Sequence, residues 1–148
     1  MYSLQMTSPV GDLTLFANDR ALTAIKFGKF PGGGENGILR LAEKELNEYF
    51  AGQRHEFTVP TELSGTAFQL KVWNSLLGIP YGETRTYGQV AAAIGCPGGA
   101  RAIGGANSKN PIPIIVPCHR VVSSAGIGGY SPDLGIKRTL MAVENIEI

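Results

Sequence analysis

The chain is poor in the residues that most often announce chemistry. Its 148 residues include two cysteines, Cys96 and Cys118, two histidines, His55 and His119, and one tryptophan. No spacing among them resembles a zinc site, so no metal is expected. A Cys96–Cys118 disulfide is disfavoured because Cys96 sits in a Gly/Pro turn; both are read as reduced thiols of a reducing compartment. A basic segment followed by an apolar stretch is missing at the N-terminus, and no run approaches the ~20 apolar residues of a membrane helix. The expectation is a cytoplasmic protein without membrane contact. Charge is also scarce. Charged residues make up 17% and the formal net charge is +1, which gives no strong field for a polyanion. An apolar content of 43% excludes a disordered chain. The length suits one domain or two small subdomains.

What is present is concentrated in residues 110–122, Asn-Pro-Ile-Pro-Ile-Ile-Val-Pro-Cys-His-Arg-Val-Val. Pro111, Pro113 and Pro117 each remove a backbone donor and fix φ, so the segment is neither helix nor sheet centre. It reads as a stiff, buried arm with Cys118 at its end. Free cysteines mostly behave as small core hydrophobes. Here, however, an apolar arm turns polar at Cys118, His119 and Arg120, which a plain core strand has no reason to do. Cys118 is therefore a candidate nucleophile and His119 a candidate base. On an extended chain neighbours point to opposite faces, so the two are not expected to touch. If His119 is the base it works through a water or a local kink, and a third group must orient it.

Before this arm the pattern changes once. Tyr2, Leu4 and Met6 alternate with polar residues, and strands over 12–17 and 21–27 follow, an antiparallel meander. A helix is expected over 38–51 and a strand or extended linker over 54–62. The Pro-Gly-Gly-Gly run at 31–34 lacks the lysine and helix of a phosphate loop. His55, flanked by charge, reads as a surface residue. Nothing in residues 1–62 looks chemical, and they form one expected subdomain, an α/β scaffold; residues 63–148 form the other.

The second part opens on Thr66 and Gln69, spaced as a capping box, and an apolar helix to about Leu77 with Trp73 in the core. A helix over 86–95, a Cys-Pro-Gly-Gly turn and a helix over 100–109 make a helix-turn-helix outline. Gly104 and Gly105 lie within the second of these helices and each costs about 0.5–1 kcal/mol relative to alanine. Ala100, Ala102 and Ala106 keep its surface small, with Arg101 the long exception. Two readings stay open: close packing on another helix, or close approach to a ligand, for which a narrow minor groove fits better than base-edge readout. A Gly/Ser loop over 123–130 leads to a last helix to about Glu144, with Ser131 at its cap and Pro132 in its first position.

Residues 65–144 resemble the catalytic domain of the O6-alkylguanine-DNA alkyltransferases, the methylated-DNA–protein-cysteine methyltransferases. The Pro117-Cys118-His119-Arg120-Val121 stretch, Asn110-Pro111, the Tyr87 and Arg101 helices and Tyr130-Ser131 carry the likeness. Residues 1–62 resemble the variable ribonuclease H-like subdomain of that family. The implied fold class is α/β: antiparallel strands plus a helix, then a mostly helical, winged helix-turn-helix-like domain. The implied activity is irreversible transfer of an alkyl group from O6-alkylguanine in double-stranded DNA to Cys118, once per molecule and without a cofactor, by a monomer. The resemblance gives His119 the thiol proton through a water, with Glu144 orienting it and Asn110 bracing the turn. Tyr87 donates to the guanine ring, the Ser131 amide binds O6, and Val121 lies against the base beside Tyr130. Backbone oxygens of Cys118 and Val121 read the exocyclic amine. Arg101 fills the space left by the flipped base, and Ala100, Ala102, Gly104 and Gly105 line the minor groove. The zinc-binding residues of some relatives are missing. Pro132 replaces a residue that is often glycine, a stiffening that predicts discrimination against bulky alkyl groups.

Three other classes compete. A lesion-binding protein without chemistry uses the same domain but needs no Cys118. A transcriptional helix-turn-helix protein leaves the arm unexplained. A cysteine hydrolase gives the small-residue helix no task.

Overall fold

The computed structural model describes residues 1–130 and 133–147, and these divide into two compact units, Met1–Leu63 and Ser64–Ile148. Among the described residues no helix is long and apolar enough to cross a membrane.

The first unit is a meander with one helix. Strands β1 (Tyr2–Met6), β2 (Leu13–Ala17) and β3 (Leu22–Phe27) pair antiparallel in that order. Leu4 faces Leu15, which faces Ile25, so one side of the pleat is a continuous apolar surface. Helix α1 (Gly37–Phe50) starts at Asn36, whose side chain accepts from the Leu39 amide. It buries Leu39, Ala42, Leu46 and Tyr49. Residues 54–62 form no strand; a lone parallel bridge joins Leu22 and Thr61. Glu45 explains why. It is buried on α1, and its carboxylate accepts from the Thr58 and Val59 amides at 2.9 Å and from the Thr58 hydroxyl at 2.5 Å, with Arg54 at 3.3 Å. Those amides are tied to a helix side chain and are unavailable to a ladder.

The second unit is mostly helical. Thr66 and Gln69 close the expected capping box on α2 (Ala67–Leu76), and Trp73 donates its indole N–H to the Ala106 carbonyl. Helix α3 (Tyr87–Ala93) carries a second capping box, Thr86 with Gln89. Helix α4 (Ala100–Ser108) follows the turn and buries Ile103 and Ala106. The connector before α3 contains β4 (Arg85–Thr86), which pairs in parallel with β5 (Val121–Val122) directly after the Cys-His-Arg segment. Helix α5 (Leu134–Val143) closes the chain, and its cap is Asp133, whose carboxylate accepts from Gly135. The expected cap, Ser131, and its neighbour Pro132 lie outside the described residues. The α/β class expected from sequence is the class observed: a small antiparallel sheet with a helix, then a helical unit.

Candidate active site

The arm is buried as expected, but it is not extended. Asn110 folds it back: its Nδ2 donates to the Val116 carbonyl at 2.8 Å, and its Oδ1 accepts from the Ile112 amide at 3.0 Å. Both amide ends are used inside one loop, which fixes the turn without sheet partners. Ile114 sits at φ 75°, a left-handed position that a β-branched residue holds only when its surroundings impose it. Ile112, Ile114 and Val116 are fully buried and supply that constraint.

At the end of the arm Cys118–Arg120 form one 3-10 turn. This corrects the expectation that Cys118 and His119 lie on opposite sides of an extended chain. The Arg120 amide bonds to the Pro117 carbonyl at 3.0 Å, so the polar residues fan out from a tight turn. Cys118 is 5% exposed and His119 is wholly buried.

His119 Nε2 lies 2.5 Å from Oε2 of Glu144, which caps the C-terminus of α5. With Nε2–H donated to the carboxylate, Nδ1 carries the ring's lone pair. Burial pushes the His119 pKa below its ordinary value, against the opposing pull of Glu144. The ring therefore rests neutral, ready to accept a proton. Glu144 also accepts from Arg120 at 2.8 and 3.1 Å and from the Gly82 amide at 3.0 Å. Arg120 is itself tied to the Ile79 carbonyl at 2.7 Å. A buried carboxylate on this many donors is held in position.

A cavity of about 280 Å³ is lined by Tyr87, Gly104, Asn107 and Ser108 together with Cys118, Gly129 and Tyr130. The Tyr87 hydroxyl accepts from the Gly129 amide at 3.1 Å. Gly128 makes that approach possible: at φ 78° a Cβ there would meet the Tyr87 hydroxyl at 2.8 Å. Burial raises the Cys118 thiol pKa, opposed by hydrogen bonds from Asn110 and Tyr130 and by the charge of Lys137. Tyr130 is pushed well above the usual phenol range, first by burial and then by Cys118. Lys137 on α5 is fully buried; its Nζ donates to the Val121 carbonyl at 2.6 Å and the Gly129 carbonyl at 3.1 Å. Burial lowers its pKa to about 8.

Cys118, Tyr87 and Tyr130 thus border one cavity, and the turn at Cys118 joins His119 to Glu144. Asn110 stands behind the turn. Val121 is buried, with its carbonyl on Lys137. Ala100, Arg101, Ala102 and Gly105 of α4 are exposed, whereas Gly104 is half-buried beside Tyr87. A Cβ at Gly105 would meet nothing within 4 Å, and one at Gly104 would only touch the Tyr87 ring, at 3.9 Å. Neither glycine is needed for packing inside the unit. Ser131 lies outside the described residues.

The residues missed from sequence are Arg120, Lys137 and Asn107. Lys137 was detectable, because it sits among Leu134, Leu140 and Met141 at the spacing of an apolar helix face. Both cysteines are free thiols, and among the described residues no cluster of His, Cys, Asp or Glu is placed to hold a metal.

Comparison with known proteins decides the family. Residues 67–146 match the 6-O-methylguanine DNA methyltransferase DNA binding domain, and residues 1–63 match that family's ribonuclease-like domain. The chain belongs to the methylated-DNA–protein-cysteine methyltransferase family. It is 45% identical over 154 residues to the methylated-DNA–protein-cysteine methyltransferase of Mycobacterium leprae, covering 97% of this chain and 92% of that one. The corresponding methyltransferase of Mycobacterium tuberculosis is 46% identical over 145 residues, with 93% and 88% covered. The crystal structure of Mycobacterium tuberculosis OGT in complex with DNA superposes with a TM-score of 0.91 at 44% identity, over 97% of this chain and 92% of that one. An O6-methylguanine DNA methyltransferase from Methanococcus jannaschii gives 0.72 at 26%, over 98% and 95%.

Proposed function

We propose that this chain repairs double-stranded DNA by moving the alkyl group of O6-alkylguanine onto Cys118, once per molecule. The observation that carries the proposal is the cavity lined by Cys118, whose neighbour His119 is held against Glu144 at 2.5 Å. The Cys118 proton passes to His119 Nδ1 through a water, and the imidazolium is stabilised by Glu144. The thiolate attacks the alkyl carbon; the S–C bond forms as the C–O6 bond breaks. Guanine departs as an anion unless a proton reaches it, and Tyr87 is the donor that borders the cavity. Ser131 supplies its backbone N–H to O6, and Tyr130 and Val121 wall the base. Asn110 braces the turn that presents the sulfur. The product is a thioether, a poor leaving group, so turnover stops at one. No cofactor takes part.

The base must leave the helix to reach a sulfur this deep, which costs a few kcal/mol and least for a damaged base. The exposed small surface of α4 suits the minor groove, with Ala100, Ala102, Gly104 and Gly105 along it and Arg101 filling the vacated stack. In this reading residues 63–148 bind DNA and react, residues 1–62 are a scaffold, and the protein works as a cytoplasmic monomer.

Intact mass after mixing with a duplex that carries O6-methylguanine tests the proposal. The expected result is a gain of one methylene unit, limited to one per molecule and absent in Cys118→Ser. Tight binding of lesion DNA without a mass gain would mean a damage binder instead.

A further inference from the structure

One polar atom in the cavity wall has no partner. Asn107 stands in the last turn of α4 and borders the cavity, and its Oδ1 is shut off from solvent and accepts no hydrogen bond. A buried acceptor left empty is unusual, since the fold forfeits a hydrogen bond to water without replacing it. The polar groups nearby are committed. The Ser108 hydroxyl donates to the Gly105 carbonyl at 2.8 Å, both ends of the Asn110 amide serve the arm, and Lys137 holds Val121 and Gly129. Asn107 contributes nothing of this kind to the fold, yet it is one of the residues that line the reactive cavity.

The chemistry of the base says what such an acceptor meets. Alkylation at O6 removes the N1 proton, and N9 is bound to the sugar. N1, N3 and N7 are then all acceptors, and the exocyclic 2-amine is the only N–H donor left. The two backbone oxygens implied for that amine are already engaged: the Val121 carbonyl takes Lys137 at 2.6 Å, and the Cys118 carbonyl takes the Val121 amide. The amine brings two hydrogens, and Asn107 Oδ1 is a wholly empty acceptor.

We propose that Asn107 is a specificity-determining residue whose Oδ1 accepts a hydrogen bond from the 2-amine of the extruded O6-alkylguanine. The inference rests on the alkyl-transfer reading above and adds a side chain that separates guanine lesions from alkylated bases without a 2-amine, O4-alkylthymine among them. A base without the amine leaves the Asn107 acceptor empty, so its transition state is bound less well.

The experiment compares single-turnover methyl transfer, read by intact mass, from two duplexes that differ only in O6-methylguanine or O6-methylhypoxanthine. Wild type, Asn107→Leu and Asn107→Asp are each given both. The ratio of the two rates within one preparation does not depend on how much of a variant is folded. Wild type is expected to favour O6-methylguanine by about tenfold or more, roughly the effect of one buried hydrogen bond. Asn107→Leu is expected to lower that ratio at least about fivefold, mainly by slowing O6-methylguanine. Asn107→Asp keeps the acceptor and the ratio, while its charge near the Cys118 thiolate slows both substrates. A wild-type ratio near one, a Leu variant with the wild-type ratio, or an Asp variant with the Leu ratio overturns the inference and leaves alkyl transfer standing. A wild type that gains no methyl from O6-methylguanine overturns both.

Discussion

The His119 imidazole and the Glu144 carboxylate meet at 2.5 Å although neither side chain is exposed at all. Arg120 completes the group, so the carboxylate balances one permanent cation and has a second ready when His119 takes a proton. Glu144→Gln keeps the shape and removes the charge. The expected outcome is a fall of about 100-fold or more in single-turnover transfer, the size of a general-base contribution. Stability should fall by about 3–5 kcal/mol, because Arg120 stays buried without its partner. Quench-flow mass analysis and urea melts measure the two effects; an unchanged transfer rate would remove Glu144 from the mechanism.

The depressed His119 pKa has a sign that equilibrium unfolding reads. The folded value lies below the unfolded one, so the unfolded chain binds the proton more readily. The contribution to stability is complete above the unfolded imidazole value of about 6.5 and declines as pH drops below it. Urea midpoints measured between neutral and mildly acid pH should fall for the wild type and fall less for His119→Gln. Parallel curves for the two proteins would contradict the assignment.

Lys137 faces the thiol as a buried cation on two carbonyls. Lys137→Met removes the charge at similar volume. Cys118 should then become reactive toward iodoacetamide only at higher pH than in the wild type, both measured in a Cys96→Ser background to leave one thiol. Because the Lys137 pKa is about 8, the wild-type advantage should fade as pH rises through that value. A Met variant that labels as fast as the wild type near neutral pH would show that Lys137 serves packing alone.

Two glycine substitutions should act in opposite directions. Gly128→Ala places a methyl 2.8 Å from the Tyr87 hydroxyl at a left-handed φ, and should cost about 1–3 kcal/mol while slowing transfer. Gly105→Ala meets nothing within 4 Å, so it should stabilise α4 by about 0.5–1 kcal/mol. If α4 lies along the minor groove, the more stable Gly105→Ala protein binds duplex DNA more weakly. Thermal melts and fluorescence anisotropy separate the effects, and unchanged DNA affinity would move the DNA surface off this face.

Glu45 ties residues 54–59 to α1. Burial alone would raise its pKa, but hydrogen bonds from Thr58 and Val59 and the Arg54 charge hold it below the usual carboxylate value. Its stabilisation is therefore present above the unfolded value of about 4.3 and is lost as pH falls through the lower folded value. Glu45→Gln should destabilise the protein by about 1–3 kcal/mol at neutral pH and lose less than the wild type on acidification. Denaturant melts at several acid pH values provide the check.

Local spacing carried most of what the sequence revealed. The period-2 run of Tyr2, Leu4 and Met6, the Thr66–Gln69 cap and the glycine-punctuated helix pair are decided within a few residues, so they were legible. So was Cys118, because prolines and a sudden polar triplet mark it without any partner. Glu144 came only from family likeness, since nothing in its own neighbourhood distinguishes it from a helix-end carboxylate. The tertiary structure decided the rest. It coiled Cys118–Arg120 into a turn, brought Arg120 and His119 onto a carboxylate 24 and 25 residues away, and chose the linker over the strand for residues 54–62 by tying Thr58 and Val59 to Glu45. It also put Lys137 against Val121 and left Asn107, a residue of the cavity wall, with an empty amide oxygen. The physical reason is range. Caps, turns and periodicity are settled by neighbours along the chain, whereas burial and side-chain pairing depend on which surfaces meet across it.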